Sequence, residues 1–343
     1  MSQNITPKKK LIVIFASGGG STAQALAQAI EEGKVNGQIV TVVCDNEEAG
    51  ILLKLEFKDI ETIVFDRMKI LENYFHQYYP GGPLPQTWNE VKPWVRMQIM
   101  TFKKDWYSDV LNRLKETDAG SNYELEIFAL GFTGKIPPEI TKYFKGRIYN
   151  NHPAPIMKDI TSGKGKHDLA PYTDGLKFYQ DLNRETGIWQ MTIHRVSDEF
   201  DQGLPLAELR FPIKTDITPE KLQNLTMIFE KWLTVFFAKT VCDKQKKDPL
   251  VIELPELSEI VNELKDLADV GETPFSKSDD DSGSEFKKFR ELLEEVLVDN
   301  WEVKSNESLG SQMEEIKHLA EEYKVKEAKK RENAIGEGRL GFN

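Results

Sequence analysis

At 343 residues the chain can bury a large core, and two units are expected rather than one. Its net charge of −11, without a basic stripe, argues against nucleic acid as a partner, and no apolar run is long enough for a transmembrane helix, so no membrane partner is expected. Two scattered cysteines, Cys44 and Cys242, and five histidines form neither a metal-ligand cluster nor a disulfide framework, which fits a reducing cytoplasm.

Residues 1–10 lead into a strand with no signal-peptide apolar region, so a cytoplasmic chain is expected. Residues 11–15 are a short apolar run suited to a central parallel strand. After Gly18-Gly-Gly-Ser-Thr22, residues 23–32 read as a helix ended by Gly33. Strands at 38–43 and 62–65 enclose a helix at 49–57. This strand–helix–strand rhythm predicts an α/β fold with a doubly wound, mostly parallel sheet. An insertion at 68–102 interrupts it, with a Pro/Gly-rich loop at 79–85. The spacing then predicts a helix at 105–115, a strand at 125–130, a short helix at 138–143 and a strand at 147–151. Residues 189–196 alternate as a strand should, and 206–213 read as its antiparallel partner. A long amphipathic helix is expected over 218–240, with Phe229, Trp232, Leu233 and Phe236 on its inner face.

The character changes after Pro249. Residues 250–343 carry 24 acidic and 13 basic side chains, which accounts for the whole charge excess. Helices are expected at 257–267, 286–297 and 313–330, with a solvated Ser/Asp-rich linker at 276–284. The sequence thus divides into an α/β catalytic domain, 1–249, and an acidic helical C-terminal extension, 250–343. Leu257, Ile260, Val261 and Leu264, and then Phe286, Phe289, Leu292, Leu293 and Leu297, lie at helical spacing and need a surface to cover. Docking on the catalytic domain is therefore expected, which leaves room for a homo-oligomeric contact.

Two stretches carry chemistry. Pro153 cannot donate to a sheet ladder, so pairing should stop there. Alternation puts Asn150 and His152 on one face of the strand's C-terminal end, where open α/β sheets bind ligands. A carboxamide beside an imidazole offers a neutral donor next to a group that can carry a proton near pH 7. Asp201, in a loop closed by Gly203, is the natural carboxylate to orient that ring. The second stretch is the Gly-rich loop, whose N–H groups can cradle an anion at the start of a helix. It lacks a Walker Lys, yet Gly18, Gly20 and Ala23 satisfy a dinucleotide pattern, with Asp45 near where an acid would hold ribose. A tight turn or a simple phosphate site remain the other readings.

These motifs, in this order, resemble the phosphoribosylglycinamide formyltransferases of the folate-dependent formyltransferase superfamily. The resemblance rests on Gly131-Phe-Thr-Gly-Lys-Ile136, Gly146-Arg-Ile-Tyr-Asn-Asn-His-Pro153, Thr192-Ile-His-Arg-Val196 and Asp198-Glu-Phe-Asp-Gln-Gly203, and covers about 9–240. It implies a formyltransferase-like, Rossmann-type fold and formyl transfer from 10-formyltetrahydrofolate to a small phosphorylated amine, glycinamide ribonucleotide in purine synthesis, without a metal. It also implies site roles: Gly20, Ser21 and Thr22 at the substrate phosphate; Asn150, His152 and Asp201 at the formyl carbon; Lys104, Thr133, Gly134, Lys135 and Ile136 at the folate. His194 matches a further family histidine, for which its place in an alternating strand favours a structural role. Departures from the family pattern are Gly-Gly-Gly-Ser-Thr in the phosphate loop, Thr133-Gly-Lys-Ile136 after Gly-Phe, and the segment 154–171 after Asn-x-His-Pro, with Lys158, Lys164, Lys166 and His167. Three other readings stay open: another phosphorylated amine such as an amino sugar nucleotide, a non-catalytic binding protein, and a dehydrogenase using the Gly-rich loop.

Overall fold

The computed structural model describes residues 10–75, 85–120, 124–154, 169–199, 203–243, 259–260, 291–293 and 295–297. Seven strands, β1 (Lys10–Ala16), β2 (Gly37–Cys44), β3 (Glu61–Val64), β4 (Leu125–Ala129), β5 (Ile148–His152), β6 (Thr186–Arg195) and β7 (Pro205–Lys214), form one sheet in the order β3-β2-β1-β4-β5-β6-β7. The first five pair in parallel. The order reverses at β1 and β4, the switch point beside which such sheets hold ligands. Among the described residues they are accompanied by the helices α1 (Ser21–Glu31), α2 (Arg67–Phe75), α3 (Pro93–Gly120), α4 (Pro138–Tyr143), α5 (Ala170–Asp181) and α6 (Pro219–Asp243).

The chain forms two compact units. One contains Met1–Asn151, Ile193–Ala207 and Phe229–Ile252; the other contains His152–Thr192, Glu208–Ile228 and Glu253–Asn343. In the first, β1 is buried along almost its whole length, as a central parallel strand covered on both faces must be. Leu11, Val13 and Phe15 share a core cluster with Val110, Leu111 and Leu114 of α3 and with Ile140 and Phe144. Glu126 of β4 is fully buried, and it is compensated by the Tyr149 hydroxyl, which donates to Oε2 at 2.9 Å, and by Lys10 Nζ at 3.5 Å. A buried carboxylate needs such partners.

In the second unit Tyr172 of α5 stacks on Trp189 of β6, with ring centroids 5.4 Å apart. The Tyr179 hydroxyl donates to the Ile188 carbonyl at 2.6 Å. Of the C-terminal extension, Ile260, Leu293, Val296 and Leu297 are buried. Leu297 makes an antiparallel bridge with Ile213 of β7, and Lys221 pairs with Glu295 at 3.2 Å. At these positions the extension is packed. Its linker at 276–284 and its helix at 313–330 lie outside the described residues.

Several local expectations are corrected. Residues 49–57 form two 3₁₀ turns, Gly50–Leu53 and Leu55–Phe57, rather than a helix. The chain there is held against the Gly-rich loop, where Ile51 N–H donates to Gly18 O at 3.2 Å. The helix expected at 105–115 begins at Pro93 and runs 28 residues. The described part of the insertion is therefore largely helical, and Leu71 of α2 and Val95 and Ile99 of α3 share a core with Phe65 and Val91. At about 2 kcal/mol gross per such side chain, this is a packed extension of the fold rather than an excursion from it; its loop at 79–85 lies outside the described residues except Pro85. α5 is an addition, since Pro171 and Gly175 within it hide a helical pattern. On α6 the inner face takes Phe237, while Phe236 is only partly buried and stacks on Trp232.

Candidate active site

Because β1, β4 and β5 run in parallel, the loops that leave their C-terminal ends gather at one end of the sheet. After β1 the chain turns through Gly20, whose φ of 72° is one that side chains rarely adopt. A Cβ there would lie 2.6 Å from Ile51 Cβ. α1 then starts with no side-chain cap and no acidic residue in its first turn. Its leading N–H groups are thus left for an anion, which the helix dipole favours. Ser21 is exposed, while Thr22 turns inward and its hydroxyl donates to Glu230 of α6 at 3.3 Å. Burial pushes the Glu230 carboxyl up to about 7, and the Thr22 hydrogen bond only partly offsets this. Gly20→Val is expected to raise KM for a phosphorylated substrate ~10-fold or more through loss of the anion cradle; steady-state kinetics checks it, and an unchanged KM would remove the anion site.

At the end of β2, Asp45 is buried and fully engaged. Its Oδ1 accepts from Ser17 Oγ at 2.5 Å and its Oδ2 pairs with Lys103 Nζ at 2.7 Å. An acid held this way is not offered to a ribose, so the dehydrogenase reading loses the residue it needs.

β5 sends successive side chains to opposite faces. Asn151 points to α6, where its Nδ2 donates to Thr234 Oγ1 at 2.8 Å. Asn150 points the other way and meets His194 of β6. His194 Nδ1–H donates to the Arg195 carbonyl at 3.0 Å, so its Nε2 lone pair accepts from Asn150 Nδ2 at 3.1 Å. This fixes the orientation of the Asn150 amide and leaves its second N–H for a ligand. Asn150 lines an open cleft with Ala129, Phe132, Gly134, Lys135, Ile136, Val196, Ser197 and Glu199. His152, two residues along the strand, is buried, and its Nδ1–H donates to the Ala154 carbonyl at 2.7 Å.

The family model for formyl transferase matches residues 10–236. The chain belongs to the formyl transferase family. It is 25% identical over 243 residues to the chloroplastic phosphoribosylglycinamide formyltransferase of Arabidopsis thaliana, covering 70% of this chain and 68% of that protein. It is 23% identical to the Vigna unguiculata protein of the same name, covering 70% of this chain and 64% of that one. Among solved structures, phosphoribosylglycinamide formyltransferase from Bacillus halodurans aligns with a TM-score of 0.49 at 20% identity, over 71% of this chain and all of that one.

Of the residues that the family resemblance marks for folate, Gly134, Lys135 and Ile136 line the cleft with Asn150. Thr133 stands behind it, its N–H donating to Ser17 Oγ at 2.9 Å. The Lys104 side chain is exposed on α3, whereas Lys103, one position earlier, turns inward to Asp45. Asp201 lies outside the described residues. The Thr141 hydroxyl donates to Asp198 at 2.5 Å, and Arg195 N–H donates to Leu204 O at 3.0 Å. Lys158, Lys164, Lys166 and His167 also lie outside the described residues. His194 has the structural role expected of it and, in addition, holds Asn150. Glu230 escaped the sequence reading, although a carboxylate between Thr226, Leu233 and Phe237 at helical spacing is a charge on an inner stripe, and that was its signal.

Proposed function

We propose that this protein transfers the formyl group of 10-formyltetrahydrofolate to the amine of a small phosphorylated substrate, glycinamide ribonucleotide, in purine synthesis. The observation that carries the reading is Asn150, fixed by His194 and opening onto a cleft walled by the 134–136 loop. Phe132, Ile136 and Val196 give that cleft apolar walls for a flat heterocycle, while Lys135 and Glu199 supply charge at its rim. The donor brings an electrophilic formyl carbon on an amide nitrogen, which becomes basic once the amine has added to that carbon. The remaining N–H of Asn150 donates to the oxygen on which charge develops, a contribution on the order of 3 kcal/mol. With Nδ1–H of His152 committed to Ala154, the protonated ring presents Nε2–H, which gives its proton to the leaving nitrogen, and the proton lost by the attacking amine restores the balance. Asp201 is assigned the charge that favours the protonated imidazole. The N–H groups of Gly20, Ser21 and Thr22 bind the substrate phosphate, and Glu230 beside them accepts hydroxyl donors from the attached sugar. Cys44 and Cys242 are buried free thiols, which suits a reducing compartment.

The test is transfer measured with 10-formyltetrahydrofolate against glycinamide ribonucleotide and, in parallel, amino sugar nucleotides. Turnover with the former alone supports the reading, turnover with an amino sugar nucleotide moves the substrate, and binding without turnover of any amine leaves a binding protein. Glu230 adds a pH signature. Its folded pKa of about 7 lies above the ordinary value of 4.5. The native state therefore holds an extra proton between them, so the stability it favours is full below about 4.5 and is lost as pH rises through about 7. Glu230→Gln should match the wild type in acid and exceed it at pH 8 by on the order of 2 kcal/mol, less than the full shift implies because the residue keeps partial exposure. Urea unfolding at pH 5 and pH 8 checks this, and parallel pH profiles would refute it.

A further inference from the structure

We propose that Lys103 is a positioning residue for the formyl donor: through Asp45 and Ser17 it fixes the loop at 131–136 and thereby one wall of the cleft. This rests on the formyl-transfer reading for the identity of the ligand, and on geometry for the relay itself. Lys103 Nζ lies 2.7 Å from Asp45 Oδ2, with the two side chains only 17% and 5% exposed. The ammonium also sits 5.8 Å from the centre of the Phe65 ring and 5.7 Å from that of Tyr107, so it is held among aromatic faces as well as by the carboxylate. From Asp45 the contacts continue without a gap. Ser17 Oγ donates to Asp45 Oδ1 at 2.5 Å and accepts the Thr133 N–H at 2.9 Å, while the Ser17 carbonyl accepts from Asn46 Nδ2 at 3.1 Å. The next residue, Gly134, lies directly against the carboxylate, since a Cβ there would be 2.6 Å from Asp45 Oδ2. Gly134, Lys135 and Ile136 then line the cleft, whereas Lys103, Asp45 and Ser17 are not among its lining residues. The three therefore act on a ligand only through the loop.

The placement of Lys103 explains what the inserted helix does. α3 starts at Pro93, ten residues before Lys103, and is seated by Val95 and Ile99 in the insertion's own core. A helix beginning at 105 would not contain Lys103, which supplies the ion pair to Asp45. The expected consequence of removing the ammonium follows from electrostatics. Asp45 would keep a buried charge with no counter-ion, a state that is relieved by moving the carboxylate or protonating it. Either change alters the hydrogen bond from Ser17, and with it the acceptor of Thr133 N–H. The Gly-rich loop loses less, because Ile51 and Asn46 hold Gly18 O and Ser17 O independently.

The experiment compares Lys103→Met, Lys103→Arg and Ser17→Ala with the wild type in full-length protein, varying both substrates and following amide hydrogen exchange without ligand. Lys103→Met is expected to raise KM for 10-formyltetrahydrofolate ~10-fold or more, with kcat and the amine KM within ~3-fold. Lys103→Arg, which keeps the charge, should recover most of the loss. Exchange should quicken ~10-fold or more at 131–136 while β1 and α1 keep their protection. Equal increases in both KM values, no change in the donor KM, or a uniform rise in exchange across the first unit would each overturn the proposal. If the wild type transfers no formyl group at all, it is the formyl-transfer reading that has failed, and the exchange comparison still decides whether Lys103 governs the loop.

Discussion

His152→Ala is expected to lower kcat for formyl transfer by at least ~100-fold while KM for the amine stays within ~3-fold. The ring is buried and one of its nitrogens is tied to the Ala154 carbonyl, so the substitution removes a proton carrier held in a fixed position. Asn150→Ala should cost a similar factor, since one positioned donor at a developing oxyanion is worth ~10²–10³ in rate. The two effects should not multiply if both groups act in one step. Asn150→Asp separates orientation from charge: it keeps the shape but loses both N–H groups, so it should be as inactive as alanine. A fully active His152→Ala or Asn150→Ala protein, measured at saturating amine and donor, would end the assignment of this strand end as the catalytic centre.

The second large effect is expected at Gly203. A Cβ on this residue would lie 1.4 Å from the Arg195 carbonyl oxygen and 3.1 Å from His194 Nδ1. No side-chain rearrangement removes a clash with backbone, so Gly203→Ala must displace either the 196–204 loop or β6. The displaced oxygen is the one that accepts from His194 Nδ1, and His194 in turn fixes the amide of Asn150. The substitution should therefore lower stability by about 3 kcal/mol, as overpacking against backbone does, and also lower kcat by ~30-fold or more. Urea denaturation and turnover on the same preparation test both halves. A stable variant with normal turnover would show that the loop closes differently from the arrangement described.

How far these features can be read from sequence depends on whether the signal is local. β1 is a run of apolar residues bounded by a charged residue and a glycine loop, and its limits fall within a residue of those expected. α4, opened by Pro137-Pro138, matches its expected span. The first turns of α3 do not announce themselves, because buried Val95 and Ile99 alternate with exposed Trp94, Met97 and Met100, which blurs the apolar stripe. The turns at 50–57 required knowing that Gly50 packs on Gly19, where an added Cβ would come to 3.1 Å of Gly19 Cα. In the site, Asn150 and the 134–136 loop were legible because each belongs to a short motif. Lys103 and Lys104 are indistinguishable by composition, and only the rotation of α3 decides which one faces Asp45. Asp45 itself reads as a ribose ligand until Ser17 and Lys103 are seen to occupy both its oxygens.

The bridge between Leu297 and Ile213 bears on how this sheet avoids its neighbours in solution. β7 is the outermost strand on its side, and ten residues of unpaired backbone would offer another chain a ready template. The opposite margin, β3, is blunted by being only four residues long. β7 has no such brevity, and there a residue of the acidic extension takes a place in the ladder, with Glu295 nearby on Lys221. Leu297 thus stands on the margin most prone to strand addition, and the position it fills beside Ile213 is one that a strand from another molecule cannot take. At Ile213 the chain covers its own sheet edge.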